Sequence, residues 1–257
     1  MISIPDAVEV FVGGFCFLRS FRRPYVAERV DELWLLHDAP PAPRAGKPAV
    51  IHRHPRKAEV IAHDTDPAEV VATVHDADPG WHFICHLHEL DVPTRGIRDA
   101  YKALGYRALA TEWMFAHDLT AIPALRSEPP VRRVRSGDEA ERLRALTRRR
   151  QIRPEDLAAD PTPQRLYAAM DARDVYGWVS SVPVGKHAWV ANLYVPAEHR
   201  GKRFGRALMS ALLADDRAHG VEASVLLASS DGARLYPHLG YRQLGVLQIF
   251  CPVRRRA

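Results

Sequence analysis

Apolar positions along residues 126–257 change period several times, and each change marks an element. "PVRRVRS" near 130–136 alternates as a strand does, and "SGDEAERLRALTRRR" carries helical spacing with Ser136 or Asp138 placed to cap it. Three extended segments follow, near 165–170, 174–183 and 186–195, with "DARD" and "VGK" as their turns. Phe204, Ala207, Leu208, Ala211 and Leu212 recur at helical spacing, and Gly220 stands where a helix end favours a left-handed residue. "EASVLLAS" reads as a buried strand, "SDGARLYPHLG" as a short helix and "YRQLGVLQIFCPV" as a closing strand. The order is β-α-(α)-β-β-β-α-β-α-β.

The first half is harder to read. "AEVIAH" predicts a strand, "DPAEVVATVHD" a helix with Asp66 as cap and Pro67 in its first turn, and "WHFICHLHEL" a second strand. "AYKALGYRAL" at 100–109 matches "LYPHLGYRQL" at 235–244. Tyr101, Leu104, Gly105, Tyr106, Arg107 and Leu109 pair with Tyr236, Leu239, Gly240, Tyr241, Arg242 and Leu244 at a constant offset of 135. Each copy precedes an apolar strand near the end of its half, so a duplicated unit explains the match. Between the copies "TAIPALRSEPPVRRV" (120–134) holds three prolines and reads as a linker. The division is therefore 1–125 and 126–257, the first unit being a truncated version of the second.

Composition narrows the function classes. The chain has 257 residues, 47% apolar and 26% charged, ordinary for a globular protein. No apolar run is long enough to span a bilayer, and "MISIPDAVEV" does not resemble a signal peptide. Cys16, Cys85 and Cys251 are too widely spaced for a metal motif and are expected as free thiols in the cytoplasm. The net charge is +5, yet no aromatic residues alternate with the arginines of 132–135, 148–150 and 254–256, so nucleic acid is the weakest of the candidate partners. His82, Cys85, His86 and His88 lie close together, but a strand of ordinary exposed histidines is expected there and no metal site. "HRHPRK" at 52–57 reads as a solvated basic loop.

The densest chemistry lies in "VPAEHRGKRFGRALMSALL" (195–213), where a strand end feeds a helix start rich in cations and backbone N–H groups. A helix N-terminus of this kind favours a phosphate. "LYVPAEHRGKRFGRALM" (193–209) and "LLASSDGARLYPHLGY" (226–241) together resemble the GNAT superfamily of acetyl-CoA-dependent N-acetyltransferases. The resemblance covers 130–252 well, and over 1–125 it rests on the "YKALGY" copy and the order of elements. It implies an α/β (α+β) fold of two GNAT-like mixed-sheet units, the N-terminal one truncated and degenerate, the C-terminal one complete.

The family's turn reads Arg/Gln-x-x-Gly-x-Gly/Ala. Arg200 and Gly205 match its ends, while Arg203 stands where the middle glycine belongs. A side chain there could hinder phosphate approach, though an arginine can also fork onto phosphate oxygens; weakened binding is the expectation. The resemblance implies an acetyl-CoA co-substrate held by Arg200, Gly201, Lys202, Arg203, Phe204, Gly205 and Arg206. The strand residues Leu193, Tyr194 and Val195 precede that turn, with the backbone of Leu193 and Val195 pairing the pantetheine arm as an added strand. Ser229 is expected to open the helix carrying Tyr236, as its N-cap, and to touch the pantetheine.

The same resemblance makes Tyr236 the acid that protonates the departing thiolate. Read without it, Tyr236 is a packing residue of a short helix. No general base is assigned: Asn192 could position a water, and Glu198 is expected to face solvent. In the first half "IAHDTDPAEV" (61–70) places Asp64 and Asp66 where phosphates would sit, so no second acetyl-CoA site is expected and this half would shape the acceptor pocket.

The activity implied is transfer of an acetyl group to a primary amine in one step through a tetrahedral intermediate. The alternative is a non-catalytic acyl-CoA-binding or regulatory module. The acceptor would be a small-molecule or peptide amine, with no membrane partner and a monomer or homodimer as the working form.

Overall fold

The computed structural model describes residues 2–40 and 56–253. The "HRHPRK" run lies outside them except for Arg56 and Lys57, and the terminal arginines 254–256 lie outside entirely. Two compact units emerge, each built from two stretches of chain: residues 1–14 with 114–243, and residues 15–113 with 244–257. They do not follow a single cut at 125. The reason is local: the long strands β5 (Tyr106–His117) and β11 (Arg242–Pro252) each begin in one unit and finish in the other. Helix α1 (Ile4–Arg19) does the same, and its amphipathic pattern had no place in the sequence-based order.

The first of these units has the strand order β5-β10-β9-β8-β7-β6. Its members are β6 (Val131–Arg133), β7 (Arg165–Met170), β8 (Val175–Val184), β9 (His187–Tyr194) and β10 (Ala223–Ala228), joined by the end of β5. These are the strands that hydrophobic period predicted, within a residue or two. Helix α4 (Gly137–Thr147) starts at a complete capping box, Ser136 accepting from the Glu139 N–H while the Glu139 carboxylate accepts from the Ser136 N–H. Helix α5 (Pro154–Ala158) follows. Helix α6 (Phe204–Ala218) buries Phe204, Ala207, Leu208, Leu212 and Leu213, and Gly220 ends it at φ +76°. Gly177 of β8 lets α6 come close: a Cβ there would meet Leu208 at 2.8 Å. At the far end of α6 the buried Asp216 accepts from Arg165 at 2.7 Å and from Ser181 at 2.9 Å, tying the helix to β7 and β8.

The sequence reads "SDGARLYPHLG" as one helix, but there are two pieces, α7 (Ser230–Ala233) and a 3-10 turn over Tyr236–Leu239. Pro237 has no N–H to continue an α-helical ladder through this stretch. Ser229 caps the first piece; Tyr236 belongs to the second.

The other unit has the order β1-β2-β3-β4-β11-β5. Strands β1 (Tyr25–Val30) and β2 (Leu33–Asp38) form a hairpin that the sequence pattern did not reveal. Strand β3 (Ala58–His63), helix α2 (Pro67–Ala77), strand β4 (His82–His88), helix α3 (Thr94–Ala103) and β5 then repeat the strand-helix-strand-helix-strand order expected. Asp66 caps α2, accepting from the Ala68 N–H at 2.7 Å. Gly105 and Gly240, the paired glycines of the internal repeat, share a left-handed backbone with φ +86° and +90°.

The histidines of β4 are not exposed. This strand lies between β3 and β11 and is covered on both faces, so burial compels each ring to find a partner. His82 bonds the Tyr106 hydroxyl at 2.9 Å, His86 the Tyr101 hydroxyl at 2.9 Å, and His88 the Gln248 amide at 3.1 Å. Among the described residues no group of three or more His, Cys, Asp or Glu side chains is placed to hold a metal ion. The three cysteines are unpaired. Among the described residues no helix is long and apolar enough to cross a membrane.

Candidate active site

Strands β9 and β10 run parallel, but their pairing covers only Ala223–Val225 against His187–Trp189. Beyond Trp189 the two part, and a cavity of about 880 Å³ opens between their C-terminal ends. An open edge where parallel strands separate leaves backbone N–H and C=O groups free to pair with an extended ligand. A bulge sharpens the divergence. Opposite β8 the register passes from Ser180↔Ala191 to Trp178↔Tyr194, so β9 carries one residue more, and Asn192 takes φ +57°.

The start of α6 closes one side of this cavity. Its first intrahelical bond runs from the Ala207 N–H to the Arg203 carbonyl, and no side chain caps the helix. The N–H groups before Ala207 thus face the cavity wall formed by Arg203, Phe204, Gly205 and Arg206. Unpaired N–H groups, the positive helix end and surrounding guanidinium groups make this wall an anion site. Phe204 supplies backbone only, because its ring is buried against Tyr176, with centroids 5.0 Å apart. Arg203 has φ +67° and ψ 5°, the left-handed conformation that favours glycine. The backbone therefore follows a glycine-like path without a glycine. Gly201, at φ +76°, supplies the second left-handed residue of the turn.

Of the sequence-predicted residues, Leu193, Tyr194, Val195, Arg200, Gly201, Arg203, Phe204, Gly205, Arg206, Ser229 and Tyr236 all line this one cavity; Lys202 does not. Lys202 sits at the exposed crest of the turn. Tyr194 stacks on Trp178 with centroids 4.7 Å apart, and Arg200 donates to the Val195 carbonyl at 3.2 Å, bracing the turn against the strand end. Glu198 is exposed, as expected.

Tyr236 is buried to 6% exposure between Phe115 and Tyr241, whose ring centroids lie 5.7 and 5.4 Å away. Among the described residues its hydroxyl has no hydrogen-bond partner. Burial pushes its pKa up to about 12, so the phenol keeps its proton throughout the neutral range. Neighbouring polar groups are all satisfied: the Tyr241 hydroxyl pairs with Ser224 at 2.7 Å. His117 accepts from the Leu119 N–H at 2.8 Å and donates to the Leu239 carbonyl at 3.0 Å, and burial lowers its pKa. These bonds clamp the 3-10 turn and fix where Tyr236 points.

Two wall residues escaped the sequence reading. His199 holds Asp174 at 2.8 Å through Nε2 and packs on Tyr176 at 4.5 Å, pinning the turn before α6. Its Nδ1 is buried without a partner. Asp231, in the first turn of α7, is the carboxylate on the wall. Both lie within the stretches 193–209 and 226–241, but at positions to which the sequence attached no role, and the fold brings their side chains to the cavity.

Known proteins share this architecture. Residues 162–243 match the acetyltransferase (GNAT) domain family. Among solved structures, a GCN5-related N-acetyltransferase from Kribbella flavida matches at TM-score 0.64 and 14% identity, covering 99% of this chain and 98% of that one. One from Sphaerobacter thermophilus matches at TM-score 0.57 and 15% identity, covering 88% and 78%. A tandem GNAT protein from the clavulanic acid biosynthesis pathway matches at TM-score 0.51 and 14% identity, covering 88% and 80%. These likenesses show the fold over nearly the whole chain. No curated protein matches it in sequence.

Proposed function

We propose that this chain is an N-acetyltransferase that moves the acetyl group of acetyl-CoA to a primary amine on a small molecule or peptide. The observation that carries the reading is the cavity between β9 and β10, which joins an uncapped helix start, an unpaired strand edge and a buried protonated tyrosine. Each matches one part of the donor. The N–H groups of the α6 start and the guanidinium groups of Arg200, Arg203 and Arg206 suit a pyrophosphate. The freed backbone of Leu193 and Val195 suits the amide-bearing pantetheine arm, and Ser229 adds a hydroxyl on the opposite wall.

In the transfer, the amine nitrogen forms a bond to the thioester carbon as the carbon–sulfur bond breaks. The bulged backbone of β9 offers N–H groups to the charge developing on the carbonyl oxygen. Tyr236 donates its hydroxyl proton toward the departing sulfur, and the proton given up by the nitrogen balances it. Asp231, the carboxylate on the wall, takes that proton to solvent, and solvent returns one to the Tyr236 phenolate. Asp66 fills the start of α2 with its own carboxylate, which disfavours a second acetyl-CoA site there. Three unpaired thiols suit a cytoplasmic enzyme.

The test is turnover of acetyl-CoA across an amine panel, with thiol release as the readout and Tyr236→Phe as control. Turnover that the variant loses supports the enzyme. Tight binding with no turnover on any amine would favour the non-catalytic acyl-CoA-binding module.

A further inference from the structure

A second, smaller cavity of about 380 Å³ shares Arg203 and Arg206 with the first, and its remaining wall is Ala124, Leu125 and Arg126. Three arginines thus surround it and no carboxylate lines it. The carboxylates of α6 are engaged elsewhere, Asp215 with Arg133 and Asp216 with Arg165. Among the described residues none of these three exposed arginines has an ion-pair partner, and three guanidinium-bearing side chains on one hollow favour an anion there.

The segment that brings Arg126 there is fixed. Ser210, buried on α6, donates to the Pro123 carbonyl at 2.5 Å and accepts from the Leu125 N–H at 3.1 Å. The helix that presents Arg203 and Arg206 therefore also holds the irregular segment carrying Arg126. Leu125, 37% exposed, adds an apolar surface to the same hollow.

Resting on the reading that the first cavity holds the pyrophosphate of CoA, we propose that this second cavity binds the 3′-phosphate of the same molecule, with Arg126 as the residue that discriminates phosphorylated from dephosphorylated donor. Coenzyme A carries a phosphate monoester on the ribose next to its pyrophosphate. Arg203 and Arg206, standing on the wall between the two cavities, are placed to serve both groups. A phosphate monoester bears up to two charges and three acceptor oxygens, the chemistry that several guanidinium forks satisfy. The linker between the two sequence repeats thereby becomes part of the donor site.

The experiment is calorimetric titration of the full chain with CoA and with 3′-dephospho-CoA, for wild type and Arg126→Gln. The expected result is about tenfold tighter binding of CoA by wild type, as one or two charge-assisted bonds would give. In Arg126→Gln that preference should fall to about twofold or less. Equal binding of both ligands by wild type overturns the inference while leaving the acyltransferase reading intact. A preference that survives in Arg126→Gln overturns the assignment to this cavity. Failure of both ligands to bind wild type removes the acetyl-CoA reading itself. Ser210→Ala gives an independent check: freeing the Arg126 segment should shrink the preference without changing affinity for 3′-dephospho-CoA.

Discussion

Tyr101 and Tyr236 hold the same position in the internal repeat, but their hydroxyls have opposite fates. That of Tyr101 is fully buried and bonded to His86 at 2.9 Å; that of Tyr236 is unpaired among the described residues and lines the large cavity. One copy has spent its tyrosine on packing, the other keeps it available. Tyr236→Phe should lower kcat by about 10²-fold or more, as loss of an acid does, with the acetyl-CoA Kd changed less than about threefold. Tyr101→Phe should leave turnover alone and cost about 1–2 kcal/mol of stability, because buried His86 loses its partner. Steady-state kinetics beside urea unfolding separates the two. Equal kinetic loss in both variants would mean that the repeat, not the cavity, decides the role.

The raised pKa of Tyr236 makes a claim about pH. An unperturbed phenol is half ionised near pH 10, whereas at about 12 this one stays protonated well beyond that. The kcat/KM profile should therefore rise as the acceptor amine loses its proton and hold level to pH 10. A falling limb centred near pH 10, absent in Tyr236→Phe, would show an unshifted tyrosine. For folding the sign follows from a native pKa above the unfolded 10.0. The contribution of this group is complete below pH 10 and disappears as pH climbs towards 12.

Asp216 and Arg165 set the angle at which α6 reaches the cavity. Both are almost wholly buried and joined at 2.7 Å. Removing one leaves the other charge without compensation. Asp216→Ala should destabilise by about 3–5 kcal/mol, measured by chemical denaturation. A change below about 1 kcal/mol would show that the pair does not hold the helix.

Arg203 carries a conformation suited to glycine. Arg203→Gly relieves a left-handed residue worth about 1–2 kcal/mol and returns about 0.5–1 kcal/mol to unfolded-chain entropy. The net expectation is a gain of up to about 1 kcal/mol, while Arg203→Ala, which keeps a Cβ, should gain nothing. Thermal and urea melts of the three proteins decide it. A gain in Arg203→Ala equal to that in Arg203→Gly would place the strain elsewhere.

Much of the C-terminal half was legible because its strands and helices are local in sequence. Period located β7 to β11 closely, Asp66 caps α2 as expected, and Ser136 is the one of Ser136 and Asp138 that caps α4, whereas Ser229 caps only α7, the piece without Tyr236. What stayed hidden depends on long-range partners. The β4 histidines look polar and hence exposed until β3 and β11 enclose them. Strand β11 pairs with β4, far away in sequence, and no local pattern encodes that choice. His199 and Asp231 lie within the quoted stretches 193–209 and 226–241 but at positions without an assigned role, and Arg126 sits in a proline-rich connection that reads as a mere linker. The hairpin of β1 and β2 alternates too weakly to stand out, with Glu28, Arg29, Asp31 and Glu32 crowded about its turn.

Titration calorimetry of acetyl-CoA into the wild-type chain, beside Arg203→Gly, tests the central claim most directly. Since the backbone at Arg203 already follows the glycine-like path, wild type should bind with a Kd in the micromolar range, and the variant should differ by less than about tenfold. No binding by wild type together with clear binding by Arg203→Gly would mean that the arginine blocks the cradle, and that the chain is no acetyl-CoA enzyme.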